Sequence, residues 1–339
     1  MSRDNITIKS HNNFQRSNFM TQQLGLIADV GGTNIRLALV DEQGVEYTEL
    51  RKYLCAQYPT ITDVIRHYLD EVKASVKHAC IAIACPTNSD WIDMTNNSWA
   101  FSRREVQEAL GLDALYIIND YTAISMSLPF LKDDQMVQVG PGMIEPGSPK
   151  AVLGPGTGLG VAHLVSVEGH WHSLPGEGGH VDFAPIDEVD NYIWKYLNKR
   201  YPHVSYEQLL SGLGLIQIYE ALCEMRGVTI VERTPADIST LGVAGECELC
   251  QAAVEQFCKV LGSHAGNLAL NLGAFGGVYV AGGIVPRFTG FVENSEFRAR
   301  FEAKGRFTDY VRRVPTFLIT EEQPGLLGAA AYLMQEGFN

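Results

Sequence analysis

A pair of glycines interrupts an alternating apolar run near the start of the chain, and this feature constrains the fold more than any other. Residues 24–40 read LGLIADVGGTNIRLALV. Two apolar runs joined by a Gly-Gly turn predict a β-hairpin. Asp29 precedes the turn, and Thr33, Asn34 and Arg36 follow it. Glycines let a backbone approach a phosphate, and a neighbouring carboxylate can hold hydrated Mg²⁺, so these flanks favour a phosphate site over a plain turn.

A second stretch repeats this arrangement. Residues 151–165 read AVLGPGTGLGVAHLV, again a glycine turn between two apolar strands. The dinucleotide fingerprint G-x-G-x-x-G fails, because its last glycine falls on Leu159 in one register and on Val161 in the other. No Gly-Lys-Ser/Thr occurs, which excludes a Walker A loop. We therefore predict two hairpin phosphate loops, with a third glycine turn at Gly282-Gly283.

Size, charge and cysteine usage limit the class of protein. At roughly 150 residues per domain, 339 residues predict two domains. The net charge of −13 argues against a nucleic-acid-binding surface, and no run approaches a membrane-spanning length of about 18 apolar residues. Seven cysteines without framework spacing indicate reduced thiols in the cytoplasm. The polar residues 1–20 predict a disordered extension, or an upstream start with Met20 as the true initiator.

Helix and strand signals alternate along the first part of the chain, which predicts an α/β fold. An apolar stripe predicts a helix over 59–77, and a buried strand follows over 79–84. A strand over 115–118 ends at Asn119-Asp120 and leads into a helix over 121–128. Further on, we expect helices over 189–199, 207–225, 248–272 and 324–335, and strands over 276–284 and 315–320.

Taken together, the motifs resemble a known family. The two hairpins and Ala-Gly-Gly-Ile at 281–284 resemble the phosphate and adenosine loops of the actin/Hsp70/sugar-kinase ATPase superfamily. Four further segments narrow the resemblance to bacterial glucokinases of the enterobacterial type: IND at 118–120, LPGEGGH at 174–180, EQLLSG at 207–212 and LNLGAFGG at 270–277. The resemblance covers about residues 24–335. The combined pattern is specific, whereas any one loop alone is not.

The resemblance implies a two-domain actin-like (ribonuclease H-like) ATPase fold with duplicated mixed-sheet cores and a cleft between the domains. The small α/β domain would comprise 21–130 plus 321–339, and the large one 131–320. The implied activity is Mg²⁺- and ATP-dependent phosphorylation of the 6-hydroxyl of glucose, by a homodimer. Closure over the sugar would exclude water, which competes as phosphate acceptor.

The resemblance also assigns roles to individual residues. Those implied to hold the nucleotide are Ala28, Asp29, Val30, Gly31, Gly32, Thr33, Asn34, Gly156, Thr157, Gly158, Gly282 and Gly283, with Asp29 also a metal ligand. Those implied to surround glucose are Asn96, Asn119, Asp120, Glu177, His180 and Glu207, the last near the start of a helix.

Asp120 is the candidate general base. It follows an apolar strand, and ligands collect at such strand ends in open α/β sheets. Phosphoryl transfer needs a group that takes the proton of the attacking hydroxyl, and the resemblance implies this role for Asp120. The alternative is that Asp120 merely caps the helix that follows.

Two further motifs have alternative interpretations. Glu177 and His180 could be a metal pair, although no ligand set of fixed spacing accompanies them. Cys247-x-x-Cys250 lacks the second CxxC of a zinc site and is interpreted as a pair of free thiols at a helix start.

Three rival functions differ in testable ways. The first is a kinase for another hexose, such as mannose or an N-acetylated sugar, and equal kcat/KM for mannose and glucose would favour it. A sugar-sensing regulator would need a DNA-binding module, for which the extension is too short and too polar. An actin-like filament or chaperone ATPase would hydrolyse ATP without sugar.

Overall fold

The computed structural model describes residues 23–94 and 97–337. The extension predicted over 1–20 and the candidate sugar ligand Asn96 therefore lie outside the described residues. The strands are β1 (Leu24–Val30), β2 (Asn34–Asp41), β3 (Tyr47–Leu54), β4 (His78–Ile83), β5 (Trp91–Asp93), β6 (Ala100–Ser102), β7 (Ala114–Asn119), β8 (Met136–Gln138), β9 (Lys150–Pro155), β10 (Leu159–Val167), β11 (His170–Gly176), β12 (Val278–Val280) and β13 (Thr316–Ile319). The helices are α1 (Ile61–Val72), α2 (Arg103–Leu110), α3 (Asp120–Ser127), α4 (Glu188–Asn198), α5 (Gly212–Met225), α6 (Pro235–Val243), α7 (Glu248–Leu272), α8 (Thr289–Asn294), α9 (Phe297–Glu302), α10 (Thr308–Arg312) and α11 (Pro324–Glu336).

Two large mixed sheets share one strand order. The first sheet runs β3-β2-β1-β4-β7, with three antiparallel strands followed by two parallel additions. The second runs β11-β10-β9-β12-β13 in the same pattern and adds β8 at its edge. The weak sequence repeat between the two glycine hairpins is therefore confirmed as a repeat of whole sheets.

Two helices connect the halves, because each follows one sheet in the chain and packs against the other. Helix α3 follows the first sheet but packs against β9, β10 and β11 of the second. Helix α11 follows the second sheet but packs against β1 and β4 of the first. The two helices also pack tightly on each other, because Gly328 leaves room for the backbone of Ala123. This crossing places the start of α3 between the two sheets.

The largest hydrophobic core lies in the second half and explains the long apolar helix. Helix α7 begins and ends where predicted, and Gly273 stops it in a left-handed conformation with φ 62°. Most of its apolar side chains are buried against α5, α6 and α9. No helix of the described residues is both long enough and apolar enough to cross a membrane.

Three predicted elements differ from the structure by more than a single residue at an end. Helix α1 stops at Val72 rather than residue 77, because Lys73 adopts a left-handed conformation with φ 53°. The strand expected over 276–284 is limited to β12, because Gly277 has φ 111° before it and Gly282 has φ 88° after it. The helix expected over 207–225 divides into a 3₁₀ turn at Tyr206–Gln208 and α5, which Ser211 caps.

Candidate active site

The first hairpin places Asp29 near the carboxyl end of β1, the central strand of the first sheet. Asp29 lies opposite Arg36 on β2, and their side chains form an ion pair of 3.5 Å. The turn is closed by a hydrogen bond of 2.9 Å from Gly31 N to Asn34 O, and Gly32 and Thr33 are exposed. Burial raises the pKa of Asp29, and the Arg36 guanidinium opposes this rise. The turn thus offers backbone groups to solvent beside a carboxylate.

Asp120 follows β7 directly and lies at the same end of the parallel strands as Asp29. Parallel β1, β4 and β7 bring Asp29 and Asn119 to their carboxyl ends, two strands or about 10 Å apart. Asn119 caps α3 by accepting from the N–H groups of Tyr121 and Thr122. The alternative that Asp120 serves only as the cap is therefore wrong, because the neighbouring asparagine has that position.

The pKa of Asp120 is raised to about 6. Burial is the main cause, and the nearby charge of Asp29 acts in the same direction. Hydrogen bonds from the Tyr121 N–H and from the Asn119 side chain oppose the rise. A carboxyl group with a pKa near neutrality can accept a proton efficiently at physiological pH.

Tyr121 connects this carboxylate to the second hairpin. Its hydroxyl donates to Gly154 O at 2.7 Å, and its ring fills the space left by the missing side chain of Gly160. Further along α3, the hydroxyls of Ser125 and Ser173 hydrogen bond at 2.7 Å. Sequence reasoning missed Tyr121, although a glycine inside β10 was a signal of close approach by another group.

The second hairpin and the third glycine turn adjoin each other. A hydrogen bond of 2.8 Å from Gly156 N to Gly158 O closes the hairpin turn, where Thr157 is exposed. Ile284 N donates to Pro155 O at 3.3 Å, and Gly282 lies against the backbone of the same residue. The predicted adenosine turn is thus held beside the predicted phosphate turn.

The Glu207 side chain hydrogen bonds to the second hairpin. Its Oε2 accepts from Leu159 N at 2.8 Å, and its Oε1 lies 3.8 Å from His180 Nε2. Behind it, Gly212 N donates to Gly156 O at 2.9 Å, which explains why the chain bends before α5 instead of forming one helix from Glu207. Glu207 therefore contacts both the second predicted phosphate hairpin and a predicted sugar ligand, His180.

The glycine-rich segment after β11 carries the other two predicted sugar ligands. Glu177 and His180 are exposed and flank a 3₁₀ turn, in which His180 N donates to Glu177 O at 3.0 Å. Gly179 lies against Leu159 O so closely that no side chain fits there. Over residues 23–94 and 97–337, no group of three or more His, Cys, Asp or Glu side chains could hold a metal ion.

A Gly158→Ala substitution tests the contact between Glu207 and the hairpin. A Cβ at this position would lie 2.5 Å from Glu207 Oε2. Since the tip of a side chain can move, we expect a folded enzyme in which Glu207 no longer accepts from Leu159 N. If the activity implied by the resemblance is correct, kcat/KM for glucose should fall by about tenfold or more, equivalent to one hydrogen bond to a charged group.

The matched control is Gly176→Ala, in the neighbouring strand, where an added Cβ meets no atom within 4 Å. It should retain kcat/KM. If Gly158→Ala also retained kcat/KM with an unchanged melting temperature, the contact would have no role in catalysis.

This geometry defines a class of protein. Each duplicated half presents an exposed glycine hairpin, and a carboxylate with a pKa of about 6 lies where α3 joins them. Such an arrangement is suited to positioning a nucleotide and activating a hydroxyl for phosphoryl transfer, as in the sugar kinases of the actin-like superfamily.

Comparisons with known proteins identify the family. The glucokinase family profile matches residues 26–336. The chain is 53% identical over 322 residues to a glucokinase of Colwellia psychrerythraea, covering 93% of this chain and 97% of that protein. The crystal structure of a glucokinase from an Antarctic psychrotroph matches with a TM-score of 0.87 and 37% identity, over 92% of this chain and 98% of that one. A Balamuthia mandrillaris glucokinase solved with glucose shares the fold, with a TM-score of 0.77 and 23% identity over 95% and 96% of the chains.

The chain belongs to the glucokinase family, and it is an ATP-dependent glucose kinase. The predicted fold class and activity are thereby confirmed. A sugar-free ATPase and a regulator without turnover do not fit this membership.

Proposed function

We propose that Asp120 is the general base that takes the proton of the glucose 6-hydroxyl as this oxygen attacks the γ-phosphate of ATP. The observation that carries the proposal is the placement of Asp120, which is partly buried at the same end of the sheet as Asp29 and is followed by a residue that hydrogen bonds to the second hairpin. The base thus lies near Asp29 of the first predicted phosphate loop, and its neighbour Tyr121 hydrogen bonds to the second. Its carboxylate also lies at the start of α3, where the helix dipole favours negative charge.

The two hairpins and the third turn would hold ATP. Gly31, Gly32 and Thr33 face solvent in one turn, and Gly156-Thr157-Gly158 form the other. Backbone N–H groups in such turns form anion-binding concavities. Gly282 and Gly283 would lie beside the adenosine, since their turn packs on the second hairpin.

Asp29 fits the predicted Mg²⁺ site. Burial raises the pKa of Asp29, and the charge of Asp29 in turn raises the pKa of the second carboxyl group, Asp120. A divalent cation would compensate both charges. When bound, Mg²⁺ would neutralise charge on the phosphate oxygens.

Glucose would lie between Asp120 on one side and two 3₁₀ turns on the other. The first turn, after β11, carries Glu177 and His180, and the second, before α5, carries Glu207. Asn119 hydrogen bonds to the base and would contact the same hydroxyl. A site built to satisfy sugar hydroxyls rejects analogues that lack one by about 10⁴–10⁵. Mannose keeps every hydroxyl but carries the 2-hydroxyl on the opposite face of the ring, so a group placed to bind the glucose 2-hydroxyl would be left unpaired. We therefore propose glucose over mannose as the preferred hexose, and equal kcat/KM for both would contradict this preference.

The division into a small domain (21–130 plus 321–339) and a large domain (131–320) remains our proposal. It is supported by α11, which returns the chain to the first sheet. Closure of these domains over glucose would exclude water from the phosphate.

We also propose a cytoplasmic homodimer. All seven cysteines are free thiols, as expected in a reducing compartment. The apolar character of α7 is explained by burial in the core, so that helix offers no argument for a dimer. The exposed side chains of Val228, Ile230 and Val231 offer an apolar surface instead. Sedimentation of the wild type and of Ile230→Glu tests this surface, since the substitution should lower the mass from two chains to one.

The pH dependence of kcat/KM for glucose tests the role of Asp120. Because the protonated acid cannot accept a proton, kcat/KM should fall about tenfold per pH unit below a pKa of about 6 and be level above it. In Asp29→Asn, the decline in kcat/KM should begin at a lower pH than in the wild type. The reason is that the charge of residue 29 no longer raises the pKa of Asp120.

The folded state must be verified by circular dichroism at each pH. A profile with no decline between about pH 7 and pH 5 would remove Asp120 from the role of base.

A further inference from the structure

The two thiols of Cys247-x-x-Cys250 lie together at the start of the longest helix. Cys247 caps α7, and its sulfur accepts from Cys250 N at 3.3 Å. The Cys250 thiol also donates to the Cys247 sulfur. The interpretation as a helix-start pair of thiols is therefore confirmed, and the pair is in hydrogen-bonding contact.

The surroundings favour a thiolate at Cys247. The guanidinium of Arg233, oriented by a hydrogen bond of 3.4 Å to Tyr219 OH, acts electrostatically on both sulfurs. The helix start adds N–H donors from Leu249 and Cys250. Cys247 is partly exposed, whereas Cys250 is fully buried. An accessible sulfur beside a protected one is the arrangement of an attacking and a resolving thiol.

Cys247 also differs from the other six cysteines in its acidity. Burial raises its pKa, but the hydrogen bonds from Cys250 and the charge of Arg233 together lower it by more. Burial and the bond to Cys247 raise the pKa of Cys250 to about 12. Burial likewise raises the pKa of each remaining thiol: Cys55, Cys80, Cys85, Cys223 and Cys258.

We propose that Cys247 and Cys250 form a reversible redox site, in which Cys247 is the nucleophile toward hydroperoxides and Cys250 resolves the product as a disulfide. The Cys247 thiolate attacks one peroxide oxygen, the O–O bond breaks, and the departing hydroxide is protonated to water. The sulfur of Cys250 then attacks the Cys247 sulfenic acid, the S–O bond breaks, and the released hydroxide leaves as water with the Cys250 proton. In total, two thiols and one hydrogen peroxide give one disulfide and two waters.

The test uses the full-length wild type and peptide mapping by mass spectrometry. With limiting iodoacetamide at neutral pH, Cys247 should be alkylated about tenfold faster than any other cysteine. After hydrogen peroxide, the tryptic peptide 234–259 should lose two hydrogen atoms, with the link between Cys247 and Cys250, and dithiothreitol should reverse the change.

Variants separate the two roles. Cys250→Ser should retain a sulfenic acid at Cys247 that dimedone labels, whereas Cys247→Ser should give no dimedone adduct on Cys250. Cys258→Ser, on the same helix but fully buried, is the control and should behave as the wild type. If Cys250→Ser does not fold, the wild-type map still decides.

Three results would overturn the proposal. They are alkylation of Cys247 no faster than that of Cys55 or Cys85, peroxide treatment that leaves both thiols free, and a disulfide that joins Cys247 to Cys223. The last would be recognised as two cross-linked tryptic peptides.

Discussion

Replacing Asp120 by Asn should lower kcat by about 10²–10⁴, the usual effect of removing a general base. The amide keeps the size of the side chain and its position at the start of α3 but cannot take the proton of the 6-hydroxyl. Glucose affinity should change little, because Asn119, Glu177, His180 and Glu207 remain. The measurement is steady-state kinetics of glucose 6-phosphate formation, together with glucose binding by calorimetry.

Thr122→Ser is the control in the same helix turn, since it retains a hydroxyl next to the base and should leave kcat within about twofold. An Asp120→Asn enzyme with near-normal kcat would show that another group accepts the proton. Loss of glucose binding together with kcat would instead assign Asp120 to binding alone.

Replacing Arg300 by Met should lower the free energy of unfolding by about 3–5 kcal/mol, because it leaves a buried carboxylate without its cation. Arg300 donates to Asp190 at 2.5 Å, to Asp187 at 2.8 Å and to Ser263 Oγ at 3.1 Å. Asp190 is completely buried and also accepts from Gln256 and from Ile186 N. The cluster joins α4, α7 and α9 in the second half. Urea unfolding measures the effect.

Lys199→Met is the matched control, because Lys199 forms an exposed ion pair of 2.9 Å with Glu224. Exposed pairs contribute about 0–1 kcal/mol, so this variant should be almost as stable as the wild type. Adding Asp190→Asn to Arg300→Met should recover part of the loss, since the unpaired charge is removed. Equal effects of Arg300→Met and Lys199→Met would show that the buried pair contributes nothing beyond a surface pair.

The glycine hairpins were predictable from sequence because each joins two buried apolar strands. The third antiparallel strand of each sheet was not. Strand β3 has the sequence YTELRKYL, is mostly exposed and lies at the sheet edge, so no apolar alternation marks it. Strand β11 is also an exposed edge and contains Pro175. Edge strands obtain their conformation from a neighbour rather than from their own hydrophobic pattern.

The candidate site was predictable as a set of residues but not as a set of contacts. Asp29, Asp120 and the glycines could be chosen because their positions after strands follow from local pattern. The hydrogen bond between Tyr121 and Gly154 spans 33 residues of sequence, and that between Leu159 and Glu207 spans 48. The first contact depends on how the two halves pack, and the second on how the segment before α5 folds back onto β10, and local periodicity contains neither.

A crystal structure with glucose and a non-hydrolysable ATP analogue tests the central claim most directly. We predict that the glucose 6-hydroxyl lies within hydrogen-bonding distance of Asp120. The phosphates should lie between the hairpins at 31–33 and 156–158, and the adenine ring should lie beside Gly282-Gly283. A sugar bound away from Asp120, or a nucleotide that contacts neither hairpin, would contradict the account.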